Sequence, residues 1–248
     1  MTFINFYAVF LQAMSLKGIF PIDKWHYNSQ SILQDLPQQD FEQLTKNSVE
    51  EKYIKGQIVF KEGTLPTGIY FIKHGKVKKY KIDNFGKEHI IYIANMGELI
   101  GYHATLAGER FPDSAAALEQ SSILFIPQSD FLAVLEQSTI LSKKLLKTLS
   151  HEFGVLANNI SVFALRPVRE RLAITLLVLR EKFKTNQLEN IHVEINLSRE
   201  DLASMAGASR ENVVRLLRDF KNESLIETKG RKIWIINVPK LVSVSNYA

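Results

Sequence analysis

The stretch Leu197-Ser-Arg-Glu-Asp-Leu-Ala-Ser-Met-Ala-Gly-Ala-Ser-Arg-Glu-Asn-Val-Val-Arg-Leu-Leu-Arg-Asp-Phe220 decides the reading of this chain. Ser198 is a good N-cap, and Asp201 three residues on is a weak form of the capping box. Leu202, Ala203 and Ala206 supply the inner face of a short helix. Gly207 then falls where the chain must enter the left-handed region, which glycine does at least cost. Ser209 caps a second helix whose apolar side is Val213, Leu216, Leu217 and Phe220. Two short helices meeting across a glycine turn, with small Ala203 allowing close approach, form a helix-turn-helix. The outer face of the second helix carries Arg210, Glu211, Asn212, Arg215 and Arg218. A guanidinium fork matches the guanine edge in a DNA major groove, and a carboxylate accepts from the cytosine amino group. Recognition helices read bases from their N-terminal residues, where Arg210, Glu211 and Arg215 sit. The competing reading is a solvated amphipathic helix in which Glu211 and Arg215 form a routine i,i+4 pair. The glycine turn, both caps and the following basic hairpin Lys229-Gly230-Arg231-Lys232 favour DNA, with Lys229 and Arg231 placed to meet phosphate.

Around this segment the pattern predicts a small mixed domain. Val168 to Phe183 reads as a helix with Leu172, Leu176 and Leu179 inward. A loop, KTNQLEN, and a short strand, IHVEI, follow it, and LIETKGRKIWII reads as two strands joined by the basic hairpin. Upstream, Leu141, Leu145, Leu149, Phe153, Leu156, Ile160 and Phe163 recur at intervals of four or three, forming one apolar stripe on a long helix. Such a stripe outlasts what a compact neighbour covers and predicts pairing with a second copy of the chain. Arg166-Pro167 interrupts it, because proline lacks a donor and disfavours helical geometry before it. Between Tyr53 and Pro127 short apolar runs alternate with glycine-marked turns, the mark of an antiparallel sandwich or barrel. The lysines at 73, 76, 78, 79, 81 and 87 read as a solvated strand face. Residues 31 to 48 read as a short helical lead-in.

Composition sets the bounds. The 248 residues are 46% hydrophobic, 23% charged and 10% aromatic, which argues against a disordered or fibrous chain. With no cysteine, disulfides, thiolate zinc sites, cysteine nucleophiles and cysteine-ligated iron–sulfur clusters are all excluded. Lys+Arg 31 against Asp+Glu 26 leaves a net charge of +5, compatible with a polyanionic partner. The apolar run from Phe3 to Leu16 is broken by Asn5 and Gln12 and falls short of the roughly 20 residues of a membrane span. It has no basic flank or clear cleavage site. The expectation is a soluble, cytoplasmic protein, and Met14 is an alternative natural start that would make residues 1–13 an upstream extension.

The run LSREDLASMAGASRENVVRLLRDFKNESLI followed by KGRKIWI resembles the winged helix-turn-helix of the CRP/FNR family of bacterial transcription regulators. GIYFIKHGKVKKYKI and GELIGYHATLAGERFPDSAAAL are similar to that family's cyclic-nucleotide-binding β-roll and its phosphate-binding cassette. The resemblance implies an α+β chain: an N-terminal extension (1–30), a β-roll of jelly-roll type (31–137), a dimerisation helix (138–166) and a winged helix-turn-helix (167–248). It implies Arg210, Glu211 and Arg215 as base contacts, with Ser198, Arg199, Ser209 and Asn212 on phosphate. Implied partners are double-stranded DNA, a second copy of the chain and RNA polymerase, with no membrane and no enzymatic activity. In the cyclic-AMP branch a glutamate after the cassette glycine meets the ribose and an arginine meets the phosphate. Here those positions hold Tyr102 and Asp113, so cyclic AMP is not expected and no cofactor is assigned. Tyr102, His103 and Arg110 remain as an effector pocket of unknown ligand. A cupin-type metalloenzyme is the second reading. It wants paired His-x-His ligands, and the histidines at 26, 74, 89, 103, 151 and 192 supply no such pair. No metal site is expected. A nucleotide-binding module attached to an enzyme or channel is the third reading, disfavoured by the recognition helix.

Overall fold

In the computed structural model the described residues are 16, 18–27, 29–184 and 193–247. They divide into two compact units, one spanning Tyr27–Gly154 and the other joining the segment up to His26 with Val155 onward.

The first unit opens with two short helices, α1 (Gln30–Leu33) and α2 (Gln38–Thr45). The single lead-in expected over residues 31–48 is split because Pro37 has φ −51 and ψ 139, which takes the backbone out of the helix before α2. Strands β1 (Val49–Tyr53), β2 (Ile58–Phe60), β3 (Gly68–His74), β4 (Lys76–Ile82), β5 (Glu88–Asn95) and β6 (Leu99–Ile100) follow. Helix α3 (Tyr102–Ala107) then precedes β7 (Ser114–Ala117) and β8 (Ser121–Pro127). They form two four-stranded sheets, β1-β8-β3-β6 and β2-β7-β4-β5, each built from antiparallel pairs. Helix α4 (Gln128–Gln137) and the long α5 (Thr139–Leu165) come next. Phe131 and Val134 of α4 join Leu141 and Leu145 of α5, Ile69, Leu99 and Ile126 in one buried cluster.

The structure corrects two expectations. The apolar stripe of α5 is not one surface. Leu141 and Leu145 are buried in the β-roll core, whereas Phe153, Leu156 and Ile160 are exposed at 75%, 45% and 62%. The inner face continues instead through Thr148, Glu152 and Val155, all buried, at the i+3 and i+4 steps a helix requires. Lys79 is likewise not on a solvated face. It shares the inward phase of β4 with Val77, two residues earlier, and its Nζ lies 2.9 Å from the Asp113 carboxylate with both side chains buried.

The second unit contains α6 (Val168–Lys182), β9 (Ile195–Asn196), α7 (Arg199–Ala206), α8 (Arg210–Asn222), β10 (Ile226–Lys229), β11 (Lys232–Ile235) and α9 (Val238–Ser245). Pro167 stands at the N-cap of α6, whose Leu172, Leu176 and Leu179 are fully buried as the spacing predicts. Among the described residues of the strand expected at IHVEI, only Ile195 is in a strand, extended by Asn196. Ile191 and His192 lie outside the described residues, as does most of the KTNQLEN loop. Strands β10, β11 and β9 form an antiparallel sheet in that order. From the chain's beginning, Phe20 and Trp25 are buried in this unit, and the Trp25 ring meets Tyr247 edge-on at 4.8 Å. No helix among the described residues is long and apolar enough to cross a membrane.

Candidate nucleic-acid interface

Each helix of the α7–α8 pair starts on a serine. Ser198 Oγ accepts from the Asp201 amide at 2.9 Å and donates to the Asp201 carboxylate at 2.6 Å. Ser209 Oγ accepts from the Asn212 amide at 3.2 Å. Each satisfies an amide that the first turn of a helix would otherwise leave bare. Between the helices Gly207 adopts φ 58 and ψ 45, the left-handed conformation that its position in the sequence predicts. A further side chain, to which no local sequence signal points, fixes this turn. The Arg171 guanidinium donates to the Ala206 carbonyl and the Gly207 carbonyl, both at 2.9 Å, and to the Arg166 carbonyl at 3.1 Å. Carbonyls at a helix end lack partners within it, so a cation there satisfies both the hydrogen bonds and the helix dipole.

Gly207 also has no room for a side chain. A Cβ there would stand 2.6 Å from the Phe163 ring. Phe163, the last residue of the apolar stripe, keeps an exposed edge while its ring lies under the Arg171 guanidinium, 5.6 Å away, and against this turn. Gly207→Ala is therefore expected to cost about 2–4 kcal/mol, combining a left-handed L-residue with overpacking. Denaturant unfolding checks it, and a midpoint equal to wild type would refute the account.

The outer face of α8 is open. Arg210, Glu211, Asn212, Val214, Arg215 and Arg218 are all exposed, while Val213, Leu216, Leu217 and Phe220 are buried. The ion pairs differ from the Glu211–Arg215 pair of the competing reading. Arg215 Nη1 reaches Asp219 at 3.7 Å, and Arg210 Nε meets Glu200 of α7 at 2.6 Å. Glu211 turns back on the helix start, where its own amide, the Ser209 hydroxyl and neighbouring Arg210 hold its carboxyl below the usual range. It therefore stays an anionic acceptor at neutral pH. These pairs are exposed and weak, so neither arginine is held firmly by its partner. The wing turn between β10 and β11 presents Lys229 and Arg231 to solvent, with Gly230 at φ 59. Half-buried Arg199, at the start of α7, is turned toward this wing: it donates to the Gly230 carbonyl at 2.8 Å and the Arg231 carbonyl at 3.3 Å.

The cassette residues gather differently from the expectation. Tyr102 is fully buried and donates to Glu152 Oε2 at 2.7 Å, its phenol held protonated by burial and by that carboxylate. His103 Nε2 meets the same oxygen at 2.7 Å, with its ring stacked on Tyr102 at 4.1 Å. Arg110 is not brought to them. It is exposed and donates to the Gly63 carbonyl at 2.8 Å. Deeper in the roll, Lys79 lies over the Tyr92 ring at 5.4 Å and holds Asp113, while Tyr27 stacks on Tyr92 at 4.5 Å. No cluster of three metal-ligating side chains occurs among the described residues.

Two family models match this chain: the cyclic nucleotide-binding domain over residues 50–138 and the Crp-like helix-turn-helix domain over residues 170–244. The fumarate and nitrate reduction regulatory protein of Vibrio cholerae is 28% identical over 211 residues, covering 85% of this chain and 84% of the relative. The anaerobic regulatory protein of Aggregatibacter actinomycetemcomitans is 26% identical, covering 85% and 82%. Among solved structures, FixK2 from Bradyrhizobium japonicum has a TM-score of 0.72 at 20% identity, covering 81% of this chain and 98% of that one. A putative CRP/FNR regulator from Eubacterium rectale has a TM-score of 0.67 at 20% identity, covering 86% and 96%. A β-roll matching the nucleotide-binding model, a long helix with an exposed apolar seam and a capped helix-turn-helix with its wing thus coincide with these likenesses, and the chain belongs to the CRP/FNR family of transcription regulators.

Proposed function

We propose that this regulator acts in the cytoplasm as a homodimer that reads an inverted-repeat DNA site, with Arg210, Glu211 and Arg215 on base edges. The observation that carries the reading is the exposed Arg210–Glu211–Arg215 face on a helix whose start and preceding turn are fixed by Ser209, Gly207 and Arg171. Ser198, Ser209 and Asn212 meet the backbone around the two helix starts, and Lys229 and Arg231 meet it from the wing. RNA polymerase is the further protein partner. No catalytic role is assigned to any residue.

The β-roll does not fit cyclic AMP. At the position matched to the phosphate-binding arginine stands Asp113, already neutralised by buried Lys79. At the position matched to the ribose glutamate stands Tyr102, whose hydroxyl is engaged by Glu152. A ligand phosphate entering here meets a carboxylate and must break a buried ion pair, and disrupting such a pair commonly costs about 2–5 kcal/mol. The effector is a different small molecule, or the roll is a structural element. An iron–sulfur cluster of the kind thiolates hold has no ligands in a chain without cysteine.

Selection of bound duplexes from random DNA, with and without cyclic AMP, tests the whole reading. The expected sites are inverted repeats of a half-site resembling TGTGA, with centres about one helical turn (roughly 34 Å) apart. Cyclic AMP is expected to change neither the sites nor their affinity. Sites without two-fold symmetry would overturn the dimeric reading. A cyclic-AMP dissociation constant below about 10 μM, roughly −7 kcal/mol, with enhanced DNA binding would overturn the ligand reading.

A further inference from the structure

The first turn of α7 carries a side chain whose geometry does not suit the phosphate role that the family resemblance implies for it. Arg199 follows the N-cap Ser198 directly, so it leaves the helix at its start, beside the wing rather than beyond it. Its two terminal nitrogens are directed at consecutive carbonyls, those of Gly230 and Arg231, at 2.8 and 3.3 Å. Those carbonyls belong to the tip of the two-stranded wing, where Lys229 pairs with Lys232 across the turn. The tip has little else to fix it. Lys229, Gly230, Arg231 and Lys232 are all exposed, and Gly230 is a left-handed glycine at which an added Cβ would meet nothing within 4 Å. Besides Arg199, the Lys232–Glu194 ion pair at 2.9 Å reaches the tip from its β11 side, and it is exposed and therefore weak. A planar guanidinium holds two acceptors in one fixed relation, which a flexible ammonium does not.

We infer that Arg199 is a positioning residue: it locks the wing tip to the start of α7, and so sets where Lys229 and Arg231 stand relative to the recognition helix. Its contribution to DNA affinity passes through the wing. The inference rests on the reading that the wing meets the DNA backbone, and it assigns to Arg199 a task different from a direct phosphate contact. The two roles separate on substitution by lysine. A phosphate contact survives Arg199→Lys, because the charge remains. A two-carbonyl lock does not, because the fork is gone.

The test compares Arg199→Lys, Arg199→Ala and Lys229→Ala/Arg231→Ala in the full-length chain, on one duplex recovered by selection. If Arg199 works through the wing, Arg199→Lys and Arg199→Ala lose similar affinity, on the order of tenfold at moderate salt. Adding Arg199→Ala to Lys229→Ala/Arg231→Ala then costs little more, because the charges it positions are already gone. Amide exchange at residues 228–232 is expected to quicken in both Arg199 variants without DNA, while the melting temperature of the domain is kept. Wild-type affinity and exchange in Arg199→Lys, or additive losses in the combined variant, would overturn the inference while leaving the wing reading intact. No loss of affinity in Lys229→Ala/Arg231→Ala would overturn the wing reading itself, and the inference with it.

Discussion

Arg215→Ala is expected to weaken binding to the selected site by about 2–6 kcal/mol per dimer, at about 1–3 kcal/mol for each half-site. Its side chain is 58% exposed and its ion pair to Asp219 is long at 3.7 Å. Removing it therefore leaves the fold nearly untouched, and thermal unfolding should show little change. The loss falls on one base position, so the variant accepts substitutions there that wild type rejects. Arg210→Ala should act similarly at a neighbouring base, with one difference: it also releases exposed Glu200 from its ion pair. Fluorescence anisotropy on the selected duplex and on single-base variants reads both effects. Wild-type affinity of Arg215→Ala for its own site would remove this residue from the reading face.

The helix-turn-helix is legible in the sequence because each of its features is local. Caps, a left-handed glycine and a 3.6-residue repeat all act within one or two turns, so Ser198, Gly207, Ser209 and the Val213–Phe220 face can be placed from the chain alone. What holds the unit together is not local. Arg171 reaches carbonyls 35 and 36 residues away, and nothing in VRERLAITLL marks that arginine as different from Arg169, which pairs with Glu223. Helix α9 escapes the sequence reading although Asn237 caps it by accepting from the Lys240 amide and Pro239 stands in its first turn. Its core, Leu-Val-Ser-Val-Ser, is β-branched and alternating, which reads as strand.

The β-roll shows the complementary failure. Strand β7 is Ser114-Ala-Ala-Ala117, buried at every position, so it shows neither the alternation nor the branched side chains by which strands are recognised. Glycine-marked spacing finds its neighbours and passes over it. The inward lysine is in principle readable, since Val77 fixes the phase of β4. Lysine is so seldom buried that its type outweighs the phase, and the partners that make the burial tolerable, Asp113 and the Tyr92 ring, lie on other strands or loops of the roll. The departure of Asp113 from the cyclic-AMP pattern is visible in the sequence. That it has a built-in cation is not.

Ile160→Glu and Phe153→Glu are expected to abolish the dimer at micromolar concentration while each chain stays folded. On α5 the exposed or half-exposed apolar residues include Leu146, Leu149, Phe153, Leu156, Ile160 and Phe163, spaced three then four throughout. That is the a/d repeat of a two-stranded coiled coil, and it begins only where Leu141 and Leu145 have turned into the β-roll core. Phe163, drawn onto Gly207, marks the far end of the seam. In a parallel pair related by two-fold symmetry, seam positions meet their own copies, so each substitution places two carboxylates face to face. Burying one isoleucine or phenylalanine is worth about 1.5–3 kcal/mol, hence about 3–6 kcal/mol for the two copies before any charge repulsion. The dissociation constant should rise by at least about 100-fold on that basis. Because Phe153 and Ile160 are 75% and 62% exposed within one chain, circular dichroism should remain that of the folded protein. DNA affinity should fall with the dimer, since a lone helix-turn-helix reads only half a site. Light scattering that shows an intact dimer in both variants would mean that the copies meet through another surface, and that the apolar seam of α5 serves something else.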